Sequence, residues 1–158
     1  MLPSVYIETT IPSYLTSRPS RDIIRAAHQQ LTKDWWQARR QAFRLFTSTF
    51  VLDEAKQGDP EAAQARLSSL EDIPLLPVIE EVVPIALRIC SDAQIPDHSK
   101  MDAAHLAIAS VYSIDFFMTW NCTHLNNAQL LPMIEKTISA CGYSCPVVCT
   151  PEELMGLL

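Results

Sequence analysis

Three acidic residues and one amide stand at the ends of predicted strands or near the starts of predicted helices: Glu8, Glu54, Asp102 and Asn121. Carboxylates that share one site repel one another, by about 4 kcal/mol per pair at 4 Å for an effective dielectric near 20. A protein therefore rarely gathers three of them without a compensating cation. Because the candidate ligand atoms are oxygens, with no nearby pair of histidines or cysteines, Mg²⁺ or Mn²⁺ is favoured over zinc. Such an ion can also bind water and a phosphate oxygen, which suits hydrolysis of a phosphodiester bond.

Apolar segments of strand length alternate with segments of helical periodicity along the chain. Strands are predicted at residues 4–8, 44–49, 74–78, 115–119 and 146–149. Helices are predicted from Ser20 to about residue 42, around Glu54, from Asp59, and at about residues 79–93, 99–113 and 126–141, with a helical turn from Pro151. This alternation is typical of an α/β protein in which helices cover both faces of a parallel sheet. No repeat or linker is evident, so residues 1–158 are predicted to form one domain with a central sheet of four to five strands.

The predicted topology brings the four polar residues to one edge of the sheet. In an open parallel sheet, ligands bind outside the carboxyl ends of the strands. Glu8 ends the first strand, and Glu54 lies early in the helix that leaves the second. Asp102 lies in the first turn of a helix that runs antiparallel to the strand at 115–119, and Asn121 follows that strand by two residues. All four side chains are therefore expected to converge at the carboxyl edge.

Each acid also has a simpler structural explanation. Ser99 and Asp102 fit the S-x-x-D pattern of a capping box, in which the acid only satisfies N–H groups at a helix N-terminus. Glu54 stands next to Asp53 and could belong to a solvated helix face, while Glu8 could be a surface charge at a strand end. Together, these explanations leave the convergence of the acids on one edge as a coincidence.

The other candidates are two histidines, one acid and a group of cysteines. His105 and His124 are interpreted as packed or hydrogen-bonded residues rather than catalytic bases, and Asp97 as a loop acid that could be drawn into the site. Three cysteines are spaced four residues apart: Cys141, Cys145 and Cys149. A glycine and a proline between them break the helix that would align them as soft metal ligands, so buried thiols are the preferred interpretation.

Composition and charge narrow the class of protein. Hydrophobic residues make up 48% of the chain and charged residues 19%, the profile of a folded protein. No apolar run approaches the ~18 residues of a membrane span and no signal-peptide pattern is present, so a cytoplasmic protein is expected. Seven basic and two acidic residues give the segment 18–44 a net charge of +5, and the remainder carries −11. That segment is either a surface for phosphates or an ordinary solvated helix face.

Five motifs occur in an informative order: V5-Y-I-E-T-T-I-P-S-Y-L15, V51-x-x-E54, D102-A-A-H-L-A-I-A109, T119-W-N-C-T-H-L125 and T150-P-E-E-L154. Each is only moderately specific alone, but the ordered set spans nearly the whole chain and resembles PIN-domain proteins of the VapC toxin type. The resemblance implies a three-layer α/β/α fold and a Mg²⁺-dependent endoribonuclease, usually the toxin of a toxin–antitoxin pair. RNA as substrate, an antitoxin as partner and a homodimer formed by helices flanking the sheet are implied in the same way, with Trp36 a candidate dimer contact.

The resemblance also implies which residues bind the ion. The acidic positions of the family correspond to Glu8, Glu54, Asp102 and Asn121, and Thr119 corresponds to a hydroxyl residue near the metal. In the implied mechanism, one or two ions lower the pKa of a bound water and stabilise charge on the phosphate during attack.

Two positions depart from the family pattern. The first acid is usually Asp and is here Glu8, which is one methylene longer. The fourth is usually Asp and is here Asn121, which offers a carbonyl oxygen but no charge. Metal affinity should therefore fall, and a second ion should bind weakly or not at all. Two hypotheses follow: an active ribonuclease whose segment 18–44 helps to hold RNA, or a degenerate PIN domain that binds RNA or a protein without cleaving it.

Overall fold

The computed structural model describes residues 1–156. The strands in this range are β1 (Ser4–Ile7), β2 (Arg44–Ser48), β3 (Leu75–Leu76), β4 (Phe116–Met118) and β5 (Val147–Cys149). The helices are α1 (Thr10–Thr16), α2 (Ile23–Ala38), α3 (Thr49–Ala55), α4 (Pro60–Leu70), α5 (Val82–Asp92), α6 (Lys100–Val111) and α7 (Leu131–Ala140). Short 3₁₀ helices span Arg40–Ala42 and Asp97–Ser99.

The strands form a single parallel sheet in the order β3-β2-β1-β4-β5. Val5 in β1 lies opposite both Leu45 in β2 and Phe116 in β4, so β1 occupies the centre of the sheet. All four residues of β1 are buried, as expected for a strand covered on both faces. Helices flank the sheet, which confirms the predicted three-layer α/β/α architecture with a parallel sheet of five strands.

The strand order of the sheet reverses between the neighbouring strands β1 and β4. From β1 the chain moves outward through β2 to β3, and it then crosses back to β4 and continues to β5. In sheets of this kind, the crevice at the carboxyl ends of the two strands beside such a reversal is the usual place for a ligand. Residues that immediately follow β1 and β4 therefore border the expected site.

Two predicted helices differ from those observed. The helix predicted from Ser20 to about residue 42 begins at Ile23, because the Asp22 side chain accepts a hydrogen bond from Arg25 N at 2.8 Å and caps it. It ends at Ala38, and the last predicted turn is a separate 3₁₀ helix. The helix predicted from residue 126 begins only at Leu131.

Helix α1 was not predicted at all. Its sequence, T-I-P-S-Y-L-T, contains β-branched residues and a proline, which do not indicate a helix on their own. Pro12 is tolerated because it lies in the first turn, where its missing N–H has no intrahelical partner. The short helix turns the chain away directly after β1.

The two adjacent tryptophans have different environments. Trp35 is fully buried, and its indole Nε1 donates to the carbonyl oxygen of Leu154 at 3.2 Å. Trp36 is half-buried, and the Arg40 guanidinium lies 4.5 Å from its ring centroid. Within residues 1–156, no helix combines the length and the apolar character needed to cross a bilayer.

Candidate metal centre

Glu8 is the central carboxylate of the site and is buried beside the end of β1. Ile7 pairs with Met118, and the next backbone N–H, that of Glu8, donates to Met118 O at 3.3 Å. Its Oε2 accepts hydrogen bonds from Thr10 N at 3.1 Å, from Thr10 Oγ1 at 2.5 Å and from Thr119 Oγ1 at 2.7 Å. Its Oε1 has no hydrogen-bond partner within residues 1–156. One carboxylate oxygen is thus fixed, and the other is available to a ligand.

Burial governs the ionisation of Glu8, whose residue surface is 3% exposed. Loss of solvent raises the pKa of Glu8 above its usual value, and His105 and the hydroxyls of Thr10 and Thr119 oppose this only in part. The explanation of Glu8 as a surface charge at a strand end is therefore wrong. A cation beside Oε1 would favour the ionised form.

Glu54 faces the same region from α3. Its Oε1 accepts hydrogen bonds from Thr9 Oγ1 at 2.7 Å and from His105 Nε2. Burial raises the pKa of Glu54, but the hydrogen bond and charge of His105, together with Thr9, outweigh burial and hold the pKa below its usual value. The second oxygen, Oε2, has no hydrogen-bond partner in the described chain. Neighbouring Asp53 points away and pairs with Lys56 at 3.1 Å, so only Glu54 belongs to the site.

His105 completes a cluster with the two glutamates. One potential ligand atom from each of Glu8, Glu54 and His105 lies within 4.8 Å of the others. The His105 side chain is fully buried, and its Nδ1 lies 2.9 Å from the hydroxyl of Tyr6. The interpretation of His105 as a hydrogen-bonded helix residue is confirmed, but its place in this cluster was missed. The available signal was its position one helical turn after Asp102.

Asp102 makes a different contact. Its Oδ2 lies 2.9 Å from Nδ1 of His124, and Asp102 is not part of the cluster of Glu8, Glu54 and His105. Ser99 makes no side-chain hydrogen bond at the start of α6, so the capping-box explanation of Asp102 is wrong. The assignment of Asp102 as a metal ligand stays a prediction.

Asn121 organises the loop that follows β4. Its Oδ1 accepts hydrogen bonds from Thr123 N at 3.2 Å and His124 N at 3.1 Å, forming an Asx turn. Its own N–H donates to Thr119 Oγ1 at 2.9 Å. The turn places His124 against Asp102, so Asn121 links the end of β4 to the start of α6. Its role as a metal ligand also stays a prediction.

The basic segment 18–44 reaches the site through an aromatic cluster. The Arg25 guanidinium lies 5.3 Å from the Tyr14 ring, and Tyr14 meets Trp120 edge-on at 6.2 Å between centroids. His28 stacks on Trp120 at 4.0 Å. The backbone N–H of Trp120 donates to Thr10 Oγ1 at 2.9 Å, the same hydroxyl that holds Glu8. The N-terminal half of α2 therefore packs beside residues that hold Glu8, whereas the last basic residues of the segment lie near the start of β2.

The cysteines and Asp97 lie outside the cluster of Glu8, Glu54 and His105. Cys149 is buried and Cys145 half-buried, and burial raises the pKa of each thiol to about 12. Both thiols are thus poor metal ligands near neutral pH, since the thiolate is the ligand form. Cys122, in the loop after Asn121, is exposed. Asp97 lies in a 3₁₀ helix and is exposed.

The sequence matched no protein-family model, and no curated protein was found to be similar to it.

Proposed function

We propose that this protein is a cytoplasmic endoribonuclease of the PIN/VapC type, which uses Mg²⁺ or Mn²⁺ to hydrolyse RNA phosphodiester bonds. The observation that carries the proposal is the close pair of Glu8 and Glu54 at the reversal point of the sheet. Each keeps one carboxylate oxygen without a hydrogen-bond partner, and no lysine or arginine within residues 1–156 forms an ion pair with either. Of the described residues, only His105 can offset their charge, through one oxygen of Glu54, so the two free oxygens remain for a divalent cation.

The donor atoms fit a hard divalent ion. Glu8 Oε1 and Glu54 Oε2 are free carboxylate oxygens, the ligands that Mg²⁺ and Mn²⁺ prefer. His105 offers a nitrogen, but its Nε2 is already engaged by Glu54 and its Nδ1 by Tyr6. Asp102 and Asn121 remain the candidates for further oxygen ligands at the same edge. The site therefore suits an oxygen-bound metal better than zinc.

The residues of the chain would bind, orient and shield the reacting groups. Thr10 and Thr119 hold Glu8, and Thr9 and His105 hold Glu54, so neither carboxylate needs to reorganise on binding. A bound ion would supply an activated water and offset charge on the phosphate. The basic segment 18–44 would help to hold RNA phosphates, through residues such as Arg25 beside the Tyr14–Trp120 cluster.

Two protein partners belong to the same proposal. As the toxin of a toxin–antitoxin pair, the protein would be held by an antitoxin, and it would itself form a homodimer through helices that flank the sheet. Val83 and Leu87 of α5 are 53% and 62% exposed, and they line an apolar groove with Phe50 and Met101. Exposed apolar side chains of this kind suit a protein contact, and Trp36 on α2 is a second candidate.

A second candidate function is a PIN-type domain that binds RNA or a protein without cleaving it. Asn121 brings no charge to the edge, and its amide oxygen is engaged in the turn that follows β4. Asp102 is paired with His124 rather than with the glutamates. Within residues 1–156, two carboxylates are thus gathered closely rather than three, which would weaken the binding of an ion.

Cleavage of RNA separates the two functions. We expect purified wild-type protein to cleave RNA with Mg²⁺ or Mn²⁺, and not with EDTA. The Asp102→Asn variant should lose most of this activity, whereas Asp53→Asn, which removes an exposed charge outside the site, should retain it. Absence of cleavage by folded wild-type protein would favour the binding module. Equal cleavage by wild type and Asp102→Asn would instead remove Asp102 from the site.

Restoring the missing charge should strengthen metal binding. A carboxylate at position 121 can still accept the two N–H groups of the Asx turn with one oxygen and present the other to the ion. We expect Asn121→Asp to raise Mn²⁺ affinity by roughly tenfold, as one added charge near a cation is worth a few kcal/mol before solvent screening reduces it. Isothermal titration with Mn²⁺ measures this. An unchanged dissociation constant would show that residue 121 does not face the ion.

A further inference from the structure

A line of buried hydrogen bonds runs from β2 through the core to Glu54. Ser48 Oγ lies 2.7 Å from the Tyr6 hydroxyl, which lies 2.9 Å from His105 Nδ1, and His105 Nε2 contacts Glu54 Oε1. Ser48, Tyr6 and His105 have no exposed surface. The line joins four elements: β2, β1, α6 and α3.

The carboxylate of Glu54 sets the direction of the last bond in this line, and the neutral form of His105 sets the directions of the others. An ionised carboxylate only accepts, so His105 must carry its proton on Nε2 and donate it to Glu54. With neutral His105, Nδ1 is an acceptor, and the Tyr6 hydroxyl must donate to it. The Tyr6 oxygen then accepts from Ser48. All of these polar groups are satisfied in one arrangement, which fixes the imidazole ring in one orientation.

Tyr6 itself is held firmly. Its ring stacks on Phe117 with 5.2 Å between centroids and an interplanar angle of 11°. A phenol is protonated at neutral pH, so the hydroxyl can act as a donor. Within residues 1–156, the hydroxyl makes no hydrogen bond to Glu8 or Glu54, and its hydrogen-bonded route to Glu54 runs through His105.

We infer that Tyr6 is a positioning residue for the metal centre, which locks His105 so that Glu54 turns its free Oε2 toward the ion. This inference deepens the proposed function and rests on it, because a divalent ion must bind between Glu8 and Glu54. The inference agrees with a general property of metal sites: residues that hydrogen-bond to the metal ligands set the orientation and basicity of those ligands. Within residues 1–156, no lysine or arginine pairs with Glu54, so this role falls to His105, Thr9 and, through His105, to Tyr6.

The Tyr6→Phe variant tests the inference, because it removes one hydroxyl and keeps the stacked ring. We expect the dissociation constant for Mn²⁺ alone to rise by roughly ten- to a hundredfold. Tyr112→Phe is the matched control, since it also removes a single hydroxyl, one that donates to Pro77 O at 2.8 Å away from the carboxylates. Tyr112→Phe should bind Mn²⁺ like wild type.

Two further measurements guard against a merely structural effect. In metal-free protein, ¹⁵N NMR should show the Nδ1 resonance of His105 shifted in Tyr6→Phe and unchanged in Tyr112→Phe. If Tyr6→Phe does not fold, Ser48→Ala removes the outer bond instead and should weaken Mn²⁺ binding by roughly two- to fivefold.

The outcomes distinguish the inference from the proposed function. If wild-type protein binds Mn²⁺ and folded Tyr6→Phe binds it with the same dissociation constant, Tyr6 has no positioning role and the proposed function stands. If Tyr6→Phe does not fold, an unchanged dissociation constant in Ser48→Ala leads to the same conclusion. A wild-type protein that binds no Mn²⁺ would overturn both.

Discussion

Glu54→Gln is expected to lower the rate of RNA cleavage on the order of a hundredfold or more, the scale seen when one preorganised electrostatic group is removed from an active site. The substitution keeps the shape of the side chain and removes its charge, so the free Oε2 position can no longer bind a hard cation strongly. Because the Glu54 side chain is 33% exposed, the loss of its charge-assisted contact with His105 should cost only about 1 kcal/mol of stability. The loss of cleavage should therefore occur in a folded protein.

Glu61→Gln provides the comparison for this variant. Glu61 lies in the first turn of α4, is exposed and makes no contact with the cluster of Glu8, Glu54 and His105. Its replacement should leave cleavage unchanged. If Glu54→Gln cleaved RNA at the wild-type rate, with its fold verified by circular dichroism, Glu54 would have no part in catalysis.

Glu8→Gln is expected to abolish the proposed RNA cleavage and, in the absence of metal, to stabilise the protein. The buried carboxylate has a pKa above its usual value, so the folded state holds its proton more tightly than the unfolded state. Wild-type protein therefore gains stability from this group as the pH falls and loses it as the pH rises from about 4.5 through the raised pKa. Glutamine keeps an acceptor for Thr10 and Thr119 without the cost of burying a charge. At pH 8 the variant should be more stable by about 2 kcal/mol, or roughly 4–8 °C in melting temperature.

Thermal unfolding as a function of pH measures the effect. The difference in melting temperature between Glu8→Gln and wild type should be small at pH 4 and grow toward pH 8, both proteins being kept in EDTA. Glu135→Gln, an exposed change on α7, should show no such trend. If wild-type protein were more stable than Glu8→Gln at every pH, burial of the ionised Glu8 carboxylate would not destabilise the folded protein. Saturating Mn²⁺ should reduce the difference, because only wild type gains stability by binding it.

The sheet could be predicted from the sequence because its strands are short apolar runs bounded by polar or turn-forming residues. The stretch V-Y-I is such a run, and it forms the wholly buried β1. Helix α1 could not be predicted in the same way. Its β-branched threonines and Pro12 suggest no helix, and packing against α2 and α4 overrides these local preferences.

The candidate site was predicted only in part. The proximity of Glu8 and Glu54 could be predicted, because the carboxyl ends of parallel strands lie at the same edge of a sheet. That rule depends on the backbone alone. The pairing of Asp102 with His124 could not be predicted from this rule. It depends on the turn that Asn121 forms three residues before His124. Likewise, Tyr6 belongs to a buried strand, and nothing in the sequence shows that its hydroxyl meets His105.

The central claim is that Glu8 and Glu54 together bind one divalent cation, and a Mn²⁺ titration followed by electron paramagnetic resonance tests it most directly. The signal of free Mn²⁺ should show one site in the wild-type protein and none in the Glu8→Gln/Glu54→Gln double variant. The double variant Glu61→Gln/Glu135→Gln, which removes two exposed charges, should retain the site. Equal binding by wild type and Glu8→Gln/Glu54→Gln, or no binding by folded wild-type protein, would contradict the claim.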